Sequence, residues 1–236
     1  MPRNEDLDRL VTLAETIADR EAWRPFATYL ALRGQGRRVE ALRALDTFLN
    51  DAENWSFAER HALLLWLAAD DRASLFDNLL IPQPLWRRVV APTASEWLAR
   101  EPDSARANYL YAIHVAGAEE GAEPLAYLRK AVRLDPADQA ARTTFIRRIV
   151  AYTQNAQHEL PWYGYLGVAS EDIRDLRDAL VMVEGVADPA LRAAFMAALA
   201  ELLDTAEAWE AFQALGDGAD FASWCVARGG PARMLR

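Results

Sequence analysis

The chain has 236 residues, which is long enough for one large helical domain with its own core or for two small domains. Hydrophobic residues make up 52% and charged residues 26%, a composition that argues against disorder. The net charge of −9 disfavours nucleic acid as a partner, because an acidic surface repels phosphate groups.

Cysteine usage and the apolar runs narrow the class of protein further. The single cysteine, Cys225, excludes an intrachain disulfide and a cysteine-based zinc site. The longest apolar run, 62–69, is shorter than the roughly 20 residues that a membrane-spanning helix needs. The acidic N-terminus lacks the apolar core of a signal peptide, so we expect a cytoplasmic protein without a membrane partner. Arginine supplies every basic residue except Lys130, and this usage, with abundant alanine, is typical of a GC-rich bacterial genome.

Helical periodicity begins at the N-terminus and continues through the first half of the chain. A cap at Asn4 precedes apolar residues at helical spacing in 7–18, and two further helices are predicted in 23–32 and 39–49, on either side of the Gly34–Gly36 turn. Ser56 and Glu59 form a capping-box pattern before 57–69, and Thr93 and Glu96 repeat it before a short helix that ends near Pro102. Three prolines, at 82, 84 and 92, divide the stretch between these helices into short pieces.

The second half of the chain shows the same periodicity. Further helices are predicted in 104–116, 123–134, 137–154, 171–184, 189–203, 205–215 and 218–228. No window alternates apolar and polar residues as a strand does. The sequence therefore predicts an all-α fold of about a dozen helices.

The hexad Ala131-Val132-Arg133-Leu134-Asp135-Pro136 resembles the closing signature of a tetratricopeptide repeat. Glu101-Pro102 and Asp135-Pro136 lie 34 residues apart, which is the period of that family. Residues 105–138 resemble one repeat, with small Ala112 in its first helix, although Asn108 and Pro124 depart from the family's preferences. The resemblance implies one domain over 1–236: an irregular, right-handed superhelix of antiparallel helix pairs with a C-terminal helical cap.

The same resemblance implies a function and a set of binding residues. Members of the family bind a peptide or a partner helix in a groove lined by the first helix of each repeat. Matched onto this sequence, the groove residues are Arg106, Tyr109, Ile113, Thr143 and Arg147. We therefore expect a protein–protein interaction module, an adaptor or scaffold whose partner is another protein or peptide.

The repeat is interrupted at its next step. The second helix of the following repeat should cover 155–168, but Pro161, Gly164 and Gly167 disfavour a regular helix there. We expect a non-helical segment over the seam between helices 137–154 and 171–184, with Trp162 buried.

Two interpretations of this segment stay open. In the structural one, Trp162, Tyr163, Tyr165 and Leu166 fill the gap left by the missing helix. In the functional one, the same residues line a pocket beside a helix that carries three arginines, Arg142, Arg147 and Arg148, with His158 or Tyr163 at the polar rim. The structural interpretation is favoured.

Catalytic and metal-binding patterns are weak. His61, His114 and His158 lie in different predicted segments, and His158-Glu159 lacks the second histidine of a zincin helix. Cys225, beside Trp224 in an apolar helix, is predicted to be a buried, inert thiol. We predict no catalytic residue, no metal site and no cofactor. Two alternatives remain: an enzyme of unknown class that uses 158–167, and an acidic inhibitor or immunity-type protein that neutralises a basic partner.

Overall fold

The computed structural model describes residues 5–69, 79–118, 122–160, 162–215, 220–228 and 231. Within these ranges the regular secondary structure is helical and no strand is present, so the predicted all-α class is confirmed there. Contacts group the chain into two compact units, Met1–Pro124 and Leu125–Arg236. The expectation of one domain over 1–236 stays a prediction.

The first unit contains seven described α-helices joined by short connections. They are α1 (Glu5–Ile17), α2 (Arg24–Gly34), α3 (Arg38–Ala52), α4 (Phe57–Leu67), α5 (Gln83–Leu85), α6 (Ala91–Arg100) and α7 (Ala105–His114). A 3-10 turn, Glu21–Trp23, precedes α2, and a π-helical turn, Trp86–Val90, precedes α6. The short pieces around Pro82 and Pro84 agree with the predicted effect of those prolines.

Aromatic rings form the core of the first unit. Phe26 and Tyr29 of α2 stack with centroids 5.7 Å apart, and Phe26 lies 5.1 Å from Phe48 of α3. All three side chains are fully buried. Gly34, at the end of α2, allows close contact with α1, because a Cβ there would lie 2.5 Å from Val11 Cγ2. A larger residue at this position would push the two helices apart.

Helix starts follow the capping patterns in part. The capping box of α4 is confirmed: the Ser56 hydroxyl accepts a hydrogen bond from Glu59 N at 3.4 Å, and Glu59 Oε2 accepts one from Ser56 N at 2.7 Å. The capping box at Thr93 is wrong. Thr93 lies inside α6, fully buried, and its hydroxyl donates to the Val89 carbonyl at 2.6 Å. The helix starts earlier because Pro92 fits its first turn. The predicted cap Asn4 lies outside the described residues.

The second unit contains five described helices. They are α8 (Pro124–Leu134), α9 (Gln139–Gln157), α10 (Ala169–Val183), α11 (Pro189–Gln213) and α12 (Phe221–Arg228). Helix α10 packs against α9 and α11, and α12 packs against α11. The predicted break between 189–203 and 205–215 is wrong, because α11 runs through Thr205, whose hydroxyl donates to the Glu201 carbonyl at 2.9 Å.

The first turn of α9 holds the turn between α10 and α11. Gln139 Nε2 donates to the Gly185 carbonyl at 3.0 Å, and its Oε1 accepts from Ala187 N at 2.9 Å. The buried guanidinium of Arg142 donates to the Met182 carbonyl at 2.6 Å and to the Pro136 carbonyl. Arg142 is therefore a structural residue that satisfies one carbonyl group near the end of α10 and one in the connection between α8 and α9.

Candidate functional site

Residues 158–168, here called the aromatic loop, connect α9 to α10. Helix α9 ends at Gln157 and α10 begins at Ala169, which confirms the predicted interruption of the helical pattern. Gly164 and Gly167 adopt φ values of 106° and 105°, which lie in the region that favours glycine. Pro161 lies outside the described residues.

The backbone of the loop is tied back to the end of α9. Leu166 N donates to the Ala156 carbonyl at 2.7 Å, and Tyr163 N donates to the Glu159 carbonyl at 2.9 Å. Leu160 N donates to the Gln157 carbonyl at 3.1 Å. These bonds replace helical partners that the glycine-containing segment has lost, so the loop has defined backbone contacts on both sides of its bend.

Two side chains of the loop point inward. Leu160 is 8% exposed and packs in a cluster with Phe221 and Cys225 of α12. The Tyr165 ring stacks on Trp209 of α11 with centroids 6.3 Å apart, and Gly164 lies close enough to Trp209 that a Cβ would be 3.5 Å from the indole. The loop thus packs on α11 and α12 as well as bonding to α9 and α10, the two helices whose seam the sequence predicts as its place.

The Tyr165 hydroxyl donates a hydrogen bond to Asp172 Oδ2 of α10 at 2.6 Å. Burial, together with the bond to Asp172, raises the pKa of the Tyr165 phenol above its ordinary range. Burial also raises the pKa of Asp172, although the bond from Tyr165 acts in the opposite direction. A phenol whose pKa is raised keeps its proton at neutral pH, so Tyr165 is suited to tethering the loop rather than to acting as a base.

Four apolar or aromatic side chains of the loop face solvent. Trp162 is 82% exposed and Tyr163 is 85% exposed, while Leu166 and Val168 are 44% and 54% exposed. The prediction that Trp162 is buried is wrong. Leu160 and Tyr165 occupy the inner side of the loop instead, and the bend between them leaves Trp162 and Tyr163 outside. The other seven tryptophans are buried or half-buried, as expected from their dispersal along the chain.

The polar side chains of the loop form two separate pairs, His158 with Glu159 and Tyr165 with Asp172. His158 Nε2 lies 2.8 Å from Glu159 Oε1, and His158 Nδ1 contacts the Asn155 carbonyl. Among the described residues, no hydrogen bond joins His158 to Tyr165 or Asp172. No group of three or more metal-ligating side chains is present in the described ranges.

The predicted groove residues of α7 are half-buried. Arg106, Tyr109 and Ile113 lie in the first unit, and the Arg106 guanidinium is 5.1 Å from the Tyr109 ring centroid. Arg106 also donates to the Ala68 carbonyl, which fixes its orientation. Their role in binding stays a prediction.

The predicted residues of α9 are divided between structural and exposed positions. The Thr143 hydroxyl donates to the Gln139 carbonyl of its own helix at 2.7 Å, while Arg147 is exposed and lies 6.0 Å from the Phe195 ring centroid. Arg148 donates to the Tyr152 hydroxyl at 3.4 Å. The predicted pocket lacks Arg142, which lies near the start of α9, about 22 Å along the helix from the loop at 1.5 Å per residue.

Asp172 and Val168 belong to the loop region but were missed at the level of sequence. Asp172 stands in a helix-start pattern, where a carboxylate is ordinary, and Val168 is an isolated apolar residue before that pattern. Their position next to the glycine-containing break is the sequence feature that could have indicated a role in the loop. Two clefts of about 330 and 290 Å³ lie in the first unit and include none of the candidate residues.

Comparison with protein-family models, curated proteins and solved structures found no match. The described helices place the chain in the all-α class. None of them combines the length and apolar character needed to cross a membrane. The tetratricopeptide resemblance of 105–138 stays a prediction.

Proposed function

We propose that this protein is a protein–protein interaction module, an adaptor or scaffold built from tetratricopeptide-like helix pairs arranged as a right-handed superhelix. Its partner is a peptide or helix of another protein, and the aromatic loop is a principal part of the docking surface. The cytoplasmic location expected from the sequence belongs to the same proposal.

One observation carries the proposal: Trp162 and Tyr163 are adjacent and almost fully exposed on a loop with defined anchors. The burial of a large aromatic side chain is favourable, so an exposed one gains free energy when a partner covers it. Tryptophan and tyrosine are also enriched at binding hot spots. Because Leu160 and Tyr165 already hold the loop on α11 and α12, Trp162 and Tyr163 are not needed for its packing. Their exposure therefore supports a role in contact with a partner.

The test is affinity capture with the full chain from a lysate of the source bacterium. Three baits are compared: the wild type, the double variant Trp162→Ala/Tyr163→Ala, and Val181→Ala as a matched control. Val181 is 77% exposed on α10, so its substitution also removes an exposed apolar group from the second unit.

We expect a protein that is retained by the wild type and by Val181→Ala and is lost with the double variant. Circular dichroism should show that all three baits remain helical, because the altered side chains are exposed. If the double variant retains the same proteins as the wild type, the aromatic loop is not the docking surface.

A further inference from the structure

The distribution of charge around the aromatic loop is strongly one-sided. The chain has 26 Lys and Arg residues, but none lies in 149–173 or in 193–227. These two stretches carry nine acidic residues: Glu159, Glu171, Asp172, Glu201, Asp204, Glu207, Glu210, Asp217 and Asp220.

The fold brings the described parts of these two stretches together. Tyr165 and Leu160 of the loop pack in the cluster formed with Trp209, Phe212 and Phe221. Glu210, next to Trp209, acts electrostatically on Tyr165, and Glu171 acts on Asp172. Arg177 of α10 pairs with Glu207 at 2.7 Å and neutralises one of the acidic groups. Arg174 follows Asp172 by two residues, but carboxylates outnumber cations in the described elements against which the loop packs, and this excess favours a negative potential near its exposed side chains.

Exposed aromatic side chains in acidic surroundings favour some classes of ligand over others. Anionic lipid headgroups and nucleic-acid phosphates are repelled by the acidic surroundings. The faces of the Trp162 and Tyr163 rings attract cations, because the π electrons give each face a partial negative charge. Lysine and arginine side chains also carry apolar stems that can cover aromatic surface while their charged ends meet carboxylates.

We propose that the aromatic loop docks a basic segment of another protein, in which lysine or arginine side chains flank an apolar anchor. This inference rests on the proposed function and specifies the chemistry of the partner. The apolar anchor and the cation stems contact Trp162 and Tyr163, and the carboxylates of the two stretches guide the approach of the basic segment.

The first experiment selects ligands without assuming their sequence. A phage-displayed library of random peptides of about 12 residues is selected on the full wild-type chain after depletion on the Trp162→Ala/Tyr163→Ala variant. The peptides that remain bind only when the aromatic loop is intact. We expect them to be enriched in lysine and arginine, poor in acidic residues, and to contain at least one large apolar residue.

The second experiment measures charge dependence with the selected peptides as the probes. The affinity should fall by about tenfold when NaCl is raised from about 0.05 to 0.3 M. The variant Glu171→Gln/Glu210→Gln should weaken binding by about three- to tenfold. The control Glu15→Gln/Asp46→Asn removes two exposed carboxylates from the first unit and should leave the affinity unchanged.

The outcomes separate this inference from the proposed function. Loop-dependent peptides that are neutral or acidic would overturn the basic partner and leave the proposed docking loop intact. Equal weakening by the control variant would also overturn it, because the attraction would then be non-specific. Binding of phosphatidylserine vesicles that requires Trp162 would replace the protein partner with a membrane surface. A selection that yields no loop-dependent peptide would contradict the docking loop itself.

Discussion

The guanidinium of Arg142 occupies the space that a side chain at residue 185 would need. A Cβ on Gly185 would lie 2.5 Å from both Cζ and Nη1 of Arg142, and the group cannot move without leaving the Met182 and Pro136 carbonyls. We predict that Gly185→Ala lowers the free energy of unfolding by about 1–3 kcal/mol, as measured by urea denaturation.

Gly117→Ala is the matched control for this substitution. Apart from residue 117 itself and its chain neighbours, no atom is found within 4 Å of the Cβ that alanine would add there. Its free energy of unfolding should differ from that of the wild type by less than about 1 kcal/mol. Equal destabilisation by the two variants would show that the contact with Arg142 does not limit residue 185.

His114, at the end of α7, makes stability depend on pH. Burial, with a smaller contribution from the charge of Arg106, lowers the pKa of the His114 imidazole from 6.5 to about 4. Between these pH values the unfolded chain takes up a proton that the folded chain excludes. The contribution of His114 to the free energy of unfolding is therefore fully present above pH 6.5. It is lost as the pH falls towards 4, and the loss amounts to about 3 kcal/mol at most.

The variant His114→Gln isolates this effect. As the pH is lowered from 7.5 to 4.5, the free energy of unfolding should decrease more for the wild type than for the variant. Other titrating groups contribute equally to both proteins and cancel in the difference. A difference that stays constant over this range would show that His114 is protonated as easily in the folded chain as in the unfolded one.

At the scale of elements, the Tyr165–Asp172 hydrogen bond ties the aromatic loop to α10. Tyr165→Phe removes the donor and leaves the half-buried carboxylate of Asp172 without that partner. We predict a loss of about 1 kcal/mol in the free energy of unfolding. Amide hydrogen exchange should also become faster at Leu166, whose N–H bonds to the Ala156 carbonyl.

Tyr163→Phe provides the comparison, since Tyr163 is 85% exposed. Its stability and its exchange rates should match those of the wild type. If Tyr165→Phe had no effect either, the loop would be held by Leu160, by the stacking of the residue-165 ring on Trp209 and by its backbone bonds, without a contribution from the bond to Asp172.

Sequence patterns predict those elements that depend on local interactions. The capping box at Ser56 and the break at 158–168 follow from residues within a few positions of each other, and both are confirmed. The inward position of Leu160 and Tyr165 depends on Trp209 and Phe221, which are far away in sequence. Spacing alone could therefore not decide that Trp162 lies outside. The continuous α11 illustrates the same limit, because the full burial of Thr205 and Ala206 in the middle of the helix depends on packing that local spacing does not reveal.

At the scale of the whole molecule, stability is predicted to need neither a metal nor a disulfide. Cys225 is buried and free, and the described residues contain no cluster of metal-ligating side chains. Thermal melts with and without a chelator and a reductant should coincide. A shift of the melting temperature by many degrees with the chelator would reveal a metal site.

The division into two compact units predicts how the chain unfolds. Each unit has its own buried core, with Phe26 and Phe48 in the first and Phe145 and Leu199 in the second. Units of this size can unfold as separate cooperative transitions. We predict that Gly185→Ala, which alters the second unit, lowers the midpoint of one calorimetric transition and leaves another unchanged. Gly34→Ala, which brings a Cβ within 2.6 Å of the Leu7 carbonyl in the first unit, should lower the other transition. A single transition that moves as a whole in both variants would instead establish one cooperative domain over 1–236, as the tetratricopeptide resemblance implies.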